Sequence, residues 1–246
     1  MESSNPVLKR GFAQMNRPQV AGDTLEETYN SPAASSMRTG RMTMDDVVVR
    51  TSMLFVILAA SAAISWKLEL YGLVLPAVLV ALVLGMVINF SQKVRVGAIV
   101  AYAAIEGIAI GAISQIFEVT YPGIVSQAVI ATFTAFGGML VAYRSGKIRV
   151  TPKFTRIMLG SLVAYLISGI VFMFVGFPTS GLGTLIAFGG VVLASFFLIL
   201  DFNAIEKMIA MGAPEQESWR AGFGLMVTMV WLYLEVLRLL SILRRN

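Results

Sequence analysis

Cysteine and histidine are both absent from the 246 residues. The chain therefore offers no thiolate or imidazole ligand, no disulfide, no axial histidine for haem and no catalytic imidazole. Charge is scarce as well: Asp, Glu, Lys and Arg make up 13%, against 57% hydrophobic residues. With a mean hydropathy of +0.79, this balance excludes an ordinary soluble domain and points to an all-α polytopic membrane protein. Any proton chemistry falls to carboxylates. The start of the chain also lacks the apolar core of a cleavable signal. Lys9 and Arg10 precede a polar stretch, and the first long apolar run begins only near Val47, so that run is expected to direct insertion.

What is present divides into a polar tail and a membrane domain. Residues 1–42 are rich in Ser, Pro, Asn and Gly with little apolar periodicity, and read as a mobile cytoplasmic tail. Residues 43–246 read as the membrane domain. Thr43 stands three residues before Asp46 at the head of an apolar run, a capping-box pattern that satisfies exposed amides at a helix start. Seven runs near the roughly 20 residues needed to cross a hydrocarbon core follow: 47–65, 70–89, 96–117, 124–143, 154–176, 182–205 and 219–243. Pro122–Gly123, Ser145–Gly146, Pro178–Gly181 and Gly212–Pro214 mark turns between them, and Trp66, Tyr121, Tyr143 and Trp219 fall where an interfacial aromatic belt belongs.

The formal charge of +5 could suggest nucleic acid, but the basic residues gather in short segments between runs, which topology explains better. With the tail inside, 15 of the 19 Lys and Arg residues are cytoplasmic, and only Lys67, Arg238, Arg244 and Arg245 fall outside. The positive-inside rule thus predicts a cytoplasmic amino terminus and an external carboxyl terminus. The terminal arginines are the exceptions, and a re-entrant last run would remove them. Small residues punctuate the third run (Ala103, Gly107, Gly111) and the sixth (Gly183, Ala187, Gly189, Gly190, Ala194), a spacing that lets helix backbones approach closely.

Three acids, Glu106, Asp201 and Glu235, interrupt runs that otherwise read as spans. Burying a carboxylate in a bilayer is costly, so such residues usually face a bundle interior or a watery route. Each also has a plainer reading. Glu106 could be a protonated carboxyl bonded to a neighbouring helix, Asp201 a headgroup-level residue beside Glu206 and Lys207, and Glu235 half of an ion pair with Arg238 three residues on. At a rise of roughly 1.5 Å per residue, Asp201, Glu106 and Glu235 lie about 6, 15 and 21 Å from the cytoplasmic boundary, a ladder rather than a cluster. Calcium prefers six to eight oxygen ligands, so two or three carboxylates suit weak passage better than tight storage. If two acids share a site, they titrate as a unit. Enzymatic readings fare worse. A serine protease needs an activating base, and Asp201 is the only aspartate inside a run, one short of an aspartyl dyad.

The segments SNPVL (Ser4–Leu8), YAAIEGIAIGAIS (Tyr102–Ser114), YPGIVSQAV (Tyr121–Val129), LDFNAIE (Leu200–Glu206) and WLYLEVLRLL (Trp231–Leu240), taken in order, resemble the Bax inhibitor-1/YccA family, also called the transmembrane Bax inhibitor motif family, and its actinobacterial-type branch in particular. The resemblance covers nearly the whole chain. The residues themselves argue against an enzyme and call for no cofactor, and the resemblance implies a seven-transmembrane-helix bundle with the last helix central. It also implies a pH-sensitive leak for calcium or another cation across the bacterial inner membrane, governed by paired aspartates on the sixth and seventh spans. Asp201 matches the first of these. Glu235 stands in LYLE where relatives read LYLD, retaining acidity on a longer side chain. Relatives place an arginine on the second span near the acid pair, whereas residues 70–89 here contain none; Glu106 or Arg238 is the candidate substitute. The resemblance carries an alternative of another class, a non-conducting interaction protein that modulates a membrane protease or a stress response. A partner-binding role predicts sensitivity in the tail and the basic loop 144–156 and tolerance of acid neutralisation.

Overall fold

A computed structural model describes residues 40–146, 148–176, 178 and 181–245. Most of the expected tail, with the SNPVL segment and four basic residues, and Lys147 lie outside the described residues. Residues 40–42, assigned to the tail from sequence, belong with the helical unit that begins at Gly40. Met42 is buried and its amide donates to the Ala213 carbonyl at 2.8 Å, while Arg41 bridges to Pro214.

The described residues form seven long helices: α1 (Met44–Lys67), α2 (Val74–Phe90), α3 (Val96–Thr120), α4 (Ile124–Arg144), α5 (Pro152–Val175), α6 (Gly181–Ala210) and α7 (Glu217–Arg245). All seven are long and apolar enough to cross a membrane. A short 3-10 turn, Tyr71–Leu73, leads into α2. Local chemistry sets the starts. Thr43 and Asp46 make the reciprocal capping box at α1: the Thr43 amide donates to Asp46 Oδ2 at 2.9 Å and the Asp46 amide to Thr43 Oγ1 at 3.3 Å. At α5, Thr151 Oγ1 accepts from the Phe154 amide at 3.1 Å and Pro152 takes a first-turn position. At α4, Gly123 adopts a left-handed φ of 80°, and Glu118 accepts from the Gly123 and Val125 amides at 2.6 and 3.0 Å. Helices α6 and α7 run past the apolar runs at the basic end, because Glu206, Lys207, Glu217 and Arg220 continue the helix where polar surroundings accept charge.

The last helix is central. α7 packs against α1, α3, α4 and α6, and 14 of its 29 residues are buried. By contrast, α5 has no buried residue; its backbone approaches only α6 among the described elements, and it reaches α7 through the Tyr165 side chain. The closest helix pair is α1 with α3. A Cβ at Gly107 would strike Leu58 and Ser61, and one at Gly111 would strike Ala62, so the small residues seen in sequence let the backbones meet. Ser65 Oγ adds an interhelical hydrogen bond to the Ile108 carbonyl at 2.8 Å.

α1 begins, and α7 begins, at the end of the bundle that carries most of the basic residues. There Arg50 pairs with Glu215 and lies 5.6 Å from the Trp219 ring centroid, while Arg220 pairs with Glu217 and donates to the Ser91 carbonyl at 3.0 Å. α7 continues unbroken to the opposite end, where Arg244 donates to the Pro122 carbonyl at 2.7 Å. The last run therefore crosses the whole bundle and does not turn back.

Candidate functional site

Each intramembrane acid sits among different neighbours. Glu106, on α3, lies beside the Tyr102 hydroxyl one turn earlier, and Tyr102 packs edge-on against Phe223 of α7 at 4.9 Å. Asp201, on α6, faces α7 and has Thr228 as its partner. Its Oδ2 is buried with no hydrogen bond. Just beyond it toward the basic end, Tyr143 of α4 bonds Glu206, and Asn203 donates to the Tyr143 hydroxyl at 3.4 Å.

Glu235 occupies the junction of α5, α6 and α7. It is 7% exposed, and its Oε1 accepts from the Trp231 indole N–H at 3.1 Å. The Tyr165 hydroxyl of α5 stands against the carboxylate, while Oε2 is buried without a well-formed hydrogen bond. The backbone of Gly190 on α6 closes the remaining side: a Cβ there would lie 2.5 Å from both Glu235 Oε2 and the Tyr165 hydroxyl. Tyr165 and Phe197 pack on the Trp231 ring at 6.2 and 5.6 Å, so the acid is walled by aromatic surface. Arg238 donates to the Tyr165 hydroxyl at 3.4 Å, which brings the arginine, Tyr165 and Glu235 into one group.

The fold does not bring Asp201 and Glu235 into contact. Asp201 meets α7 at Thr228, seven residues before Glu235, and Glu235 meets α6 at Gly190, eleven residues before Asp201. Along the helix axes this separates the two acids by roughly 10–16 Å. Both nevertheless lie on one seam, the α6–α7 interface, and each contributes to it a buried oxygen without a well-formed hydrogen bond. Glu106 stands apart on α3.

This seam belongs to a chain whose residues 5–245 match the family described as Bax inhibitor 1 like. The chain belongs to that family. No curated relative matches it. For this Bax inhibitor 1 like protein, the structure adds partners that inspection of the acids alone does not reveal. Tyr102 and Trp231 each precede an acid by four residues, a spacing that places them on the same helix face and makes them findable from sequence. Thr228, Tyr165 and Gly190 come from other helices, and nothing local marks them. Among the described residues no three His, Cys, Asp or Glu side chains gather closely enough to hold a metal ion. The seam thus supplies isolated carboxylates at successive depths, each with one hydroxyl or indole beside it.

Proposed function

We propose that this protein is a passive, pH-sensitive leak for calcium or another cation across the bacterial inner membrane, gated by protonation of its intramembrane carboxylates, and not an enzyme. One observation carries the reading: the Asp201 and Glu235 carboxylates are buried on the α6–α7 seam, each with one oxygen, Oδ2 and Oε2, that no well-formed hydrogen bond completes. A buried acceptor left unsatisfied costs about 1–3 kcal/mol, more when charged. A proton, a water molecule or a passing cation relieves that cost, and carboxylates inside spans mark ion and proton routes more often than structure alone requires. Asp201 and Glu235 act as successive stations rather than as one chelating site, with Glu106 as an auxiliary acid and Arg238 tuning Glu235. Isolated carboxylates hold calcium weakly, because its shell calls for six or more oxygens; weak holding suits passage. The amino end is cytoplasmic in this reading, since the basic residues concentrate there, and the carboxyl end is external.

The test is calcium flux into proteoliposomes across a pH series, comparing the native chain with Asp201→Asn and Glu235→Gln. Both substitutions keep shape and remove charge. Flux should fall in each variant, and its dependence on pH should flatten. Native flux in both variants would remove the conduit and leave the interaction role, through a membrane protease or a stress response, as the remaining account.

A further inference from the structure

The strongest feature not used by the acid seam is a groove on the opposite face of α7. The backbones of α1 and α4 stay apart, and the gap between them, floored by α3 and α7, holds a cavity of about 520 Å³. This is within the ~300–1,000 Å³ usual for ligand sites. On α1 its wall runs from Phe55 to Trp66, eleven residues or roughly 16 Å. That is close to half of the ~30 Å hydrocarbon core, so the groove is one leaflet deep. Phe55, Phe133 and Met229 line its inner end and also a second, adjoining cavity of about 360 Å³ at the basic end of the bundle.

The wall is apolar by construction. Its hydroxyls turn to partners within the protein: Ser114 and Tyr233 bond each other at 2.7 Å, and Thr132 donates to the Ala128 carbonyl at 2.7 Å. No side chain in the wall carries charge. The mouth is different. Trp66 lies at the end of α1 with the exposed Lys67 next in sequence, and across the gap Arg244 bonds the Pro122 carbonyl at the turn into α4, using one of its five N–H donors. The nearby acid Glu118 keeps its charge, with its two oxygens directed to the Gly123 and Val125 amides. Exposed Glu69, two residues after Lys67, is the other acid at this end of α1.

We propose that the α1–α4 groove is a binding site for one membrane phospholipid of the leaflet at the carboxyl-terminal end of α1, with an acyl chain in the groove and the phosphate at Lys67 and Arg244. The depth of one leaflet, the uncharged wall and the cationic mouth all match that single occupant. A polar small molecule would find no free hydroxyl in the wall. The site is separate from the carboxylate seam and stands whether or not the chain conducts ions.

The test is native mass spectrometry of the full chain extracted in mild detergent. The native protein should retain one phospholipid-mass adduct under activation that strips the annular lipids. Ala59 and Ala63 line the groove and are exposed to the bilayer, so Ala59→Phe with Ala63→Phe fills it without touching the core, and should abolish the adduct. Val129→Trp fills it from the α4 side and should do the same, which guards against misfolding of either variant. Lys67→Glu should cut retention of anionic phospholipid more than of zwitterionic phospholipid. The proposal is overturned if no adduct survives activation, if the filled variants fold and keep it, or if the retained species is a lipophilic molecule without phosphate.

Discussion

Two adjacent glycines on α6 offer a sharp test of how the Glu235 site is built. A Cβ at Gly190 would stand 2.5 Å from Glu235 Oε2 and from the Tyr165 hydroxyl, and 2.8 Å from Glu235 Cδ, whereas one at Gly189 meets nothing within 4 Å. Glu235 has little room to retreat, because the Trp231 indole holds Oε1 at 3.1 Å. Overpacking of this kind costs about 1–3 kcal/mol, partly offset by the ~0.5–1 kcal/mol that alanine gains over glycine inside a helix. Gly189→Ala collects only the gain. The two variants should therefore differ by about 1–3 kcal/mol, and for a chain of this size the melting temperatures should differ by roughly 2–12 °C. The assay is thermal unfolding in detergent followed by tryptophan fluorescence. Combining Gly190→Ala with Glu235→Ala should leave the second substitution less costly than in the native background, since the carboxylate clash is gone while the one with the Tyr165 hydroxyl remains. Equal melting of the Gly189→Ala and Gly190→Ala variants would refute the close packing of Glu235 and Tyr165 against α6.

Besides the flux and lipid-retention experiments, two further outcomes follow from the packing. Gly111→Leu should separate α1 from α3 and sharply reduce the yield of folded protein on size-exclusion chromatography, because the new side chain meets the Ala62 backbone; Gly137→Ala, with open space around it, should leave yield unchanged. A double-mutant cycle on Arg50→Ala and Glu215→Ala should return a coupling at or above the ~1 kcal/mol ceiling of exposed pairs, since Arg50 is only 14% exposed and also bonds the Glu215 carbonyl. A coupling near zero would show that the contact between α1 and the α6–α7 turn is incidental.

Membrane class, the number of spans and most helix limits follow from the sequence for a simple reason. Crossing a hydrocarbon core demands about 20 apolar residues whose backbone groups are satisfied locally, and hydropathy registers that demand residue by residue. The capping box at Thr43 and Asp46 and the close-packing role of Gly107 and Gly111 were legible on the same terms. The three acids stood out because charge is rare in such runs. Their surroundings were not legible. Whether Asp201 and Glu235 meet depends on the register of α6 against α7, which is set by side-chain packing across the interface and leaves no periodic trace in either helix.

Sequence by itself therefore determined that this is a seven-span helical membrane protein of the Bax inhibitor 1 like family with three costly acids, because bilayer solvation acts on each segment alone. Only the tertiary structure decided that Glu235 is walled by Tyr165, Trp231 and Gly190, that Asp201 faces Thr228 some turns away, and that α1 and α4 stand apart around an apolar groove. Those relations join residues distant in the chain, and the forces that fix them, packing and interhelical hydrogen bonds, exist only once the helices have met.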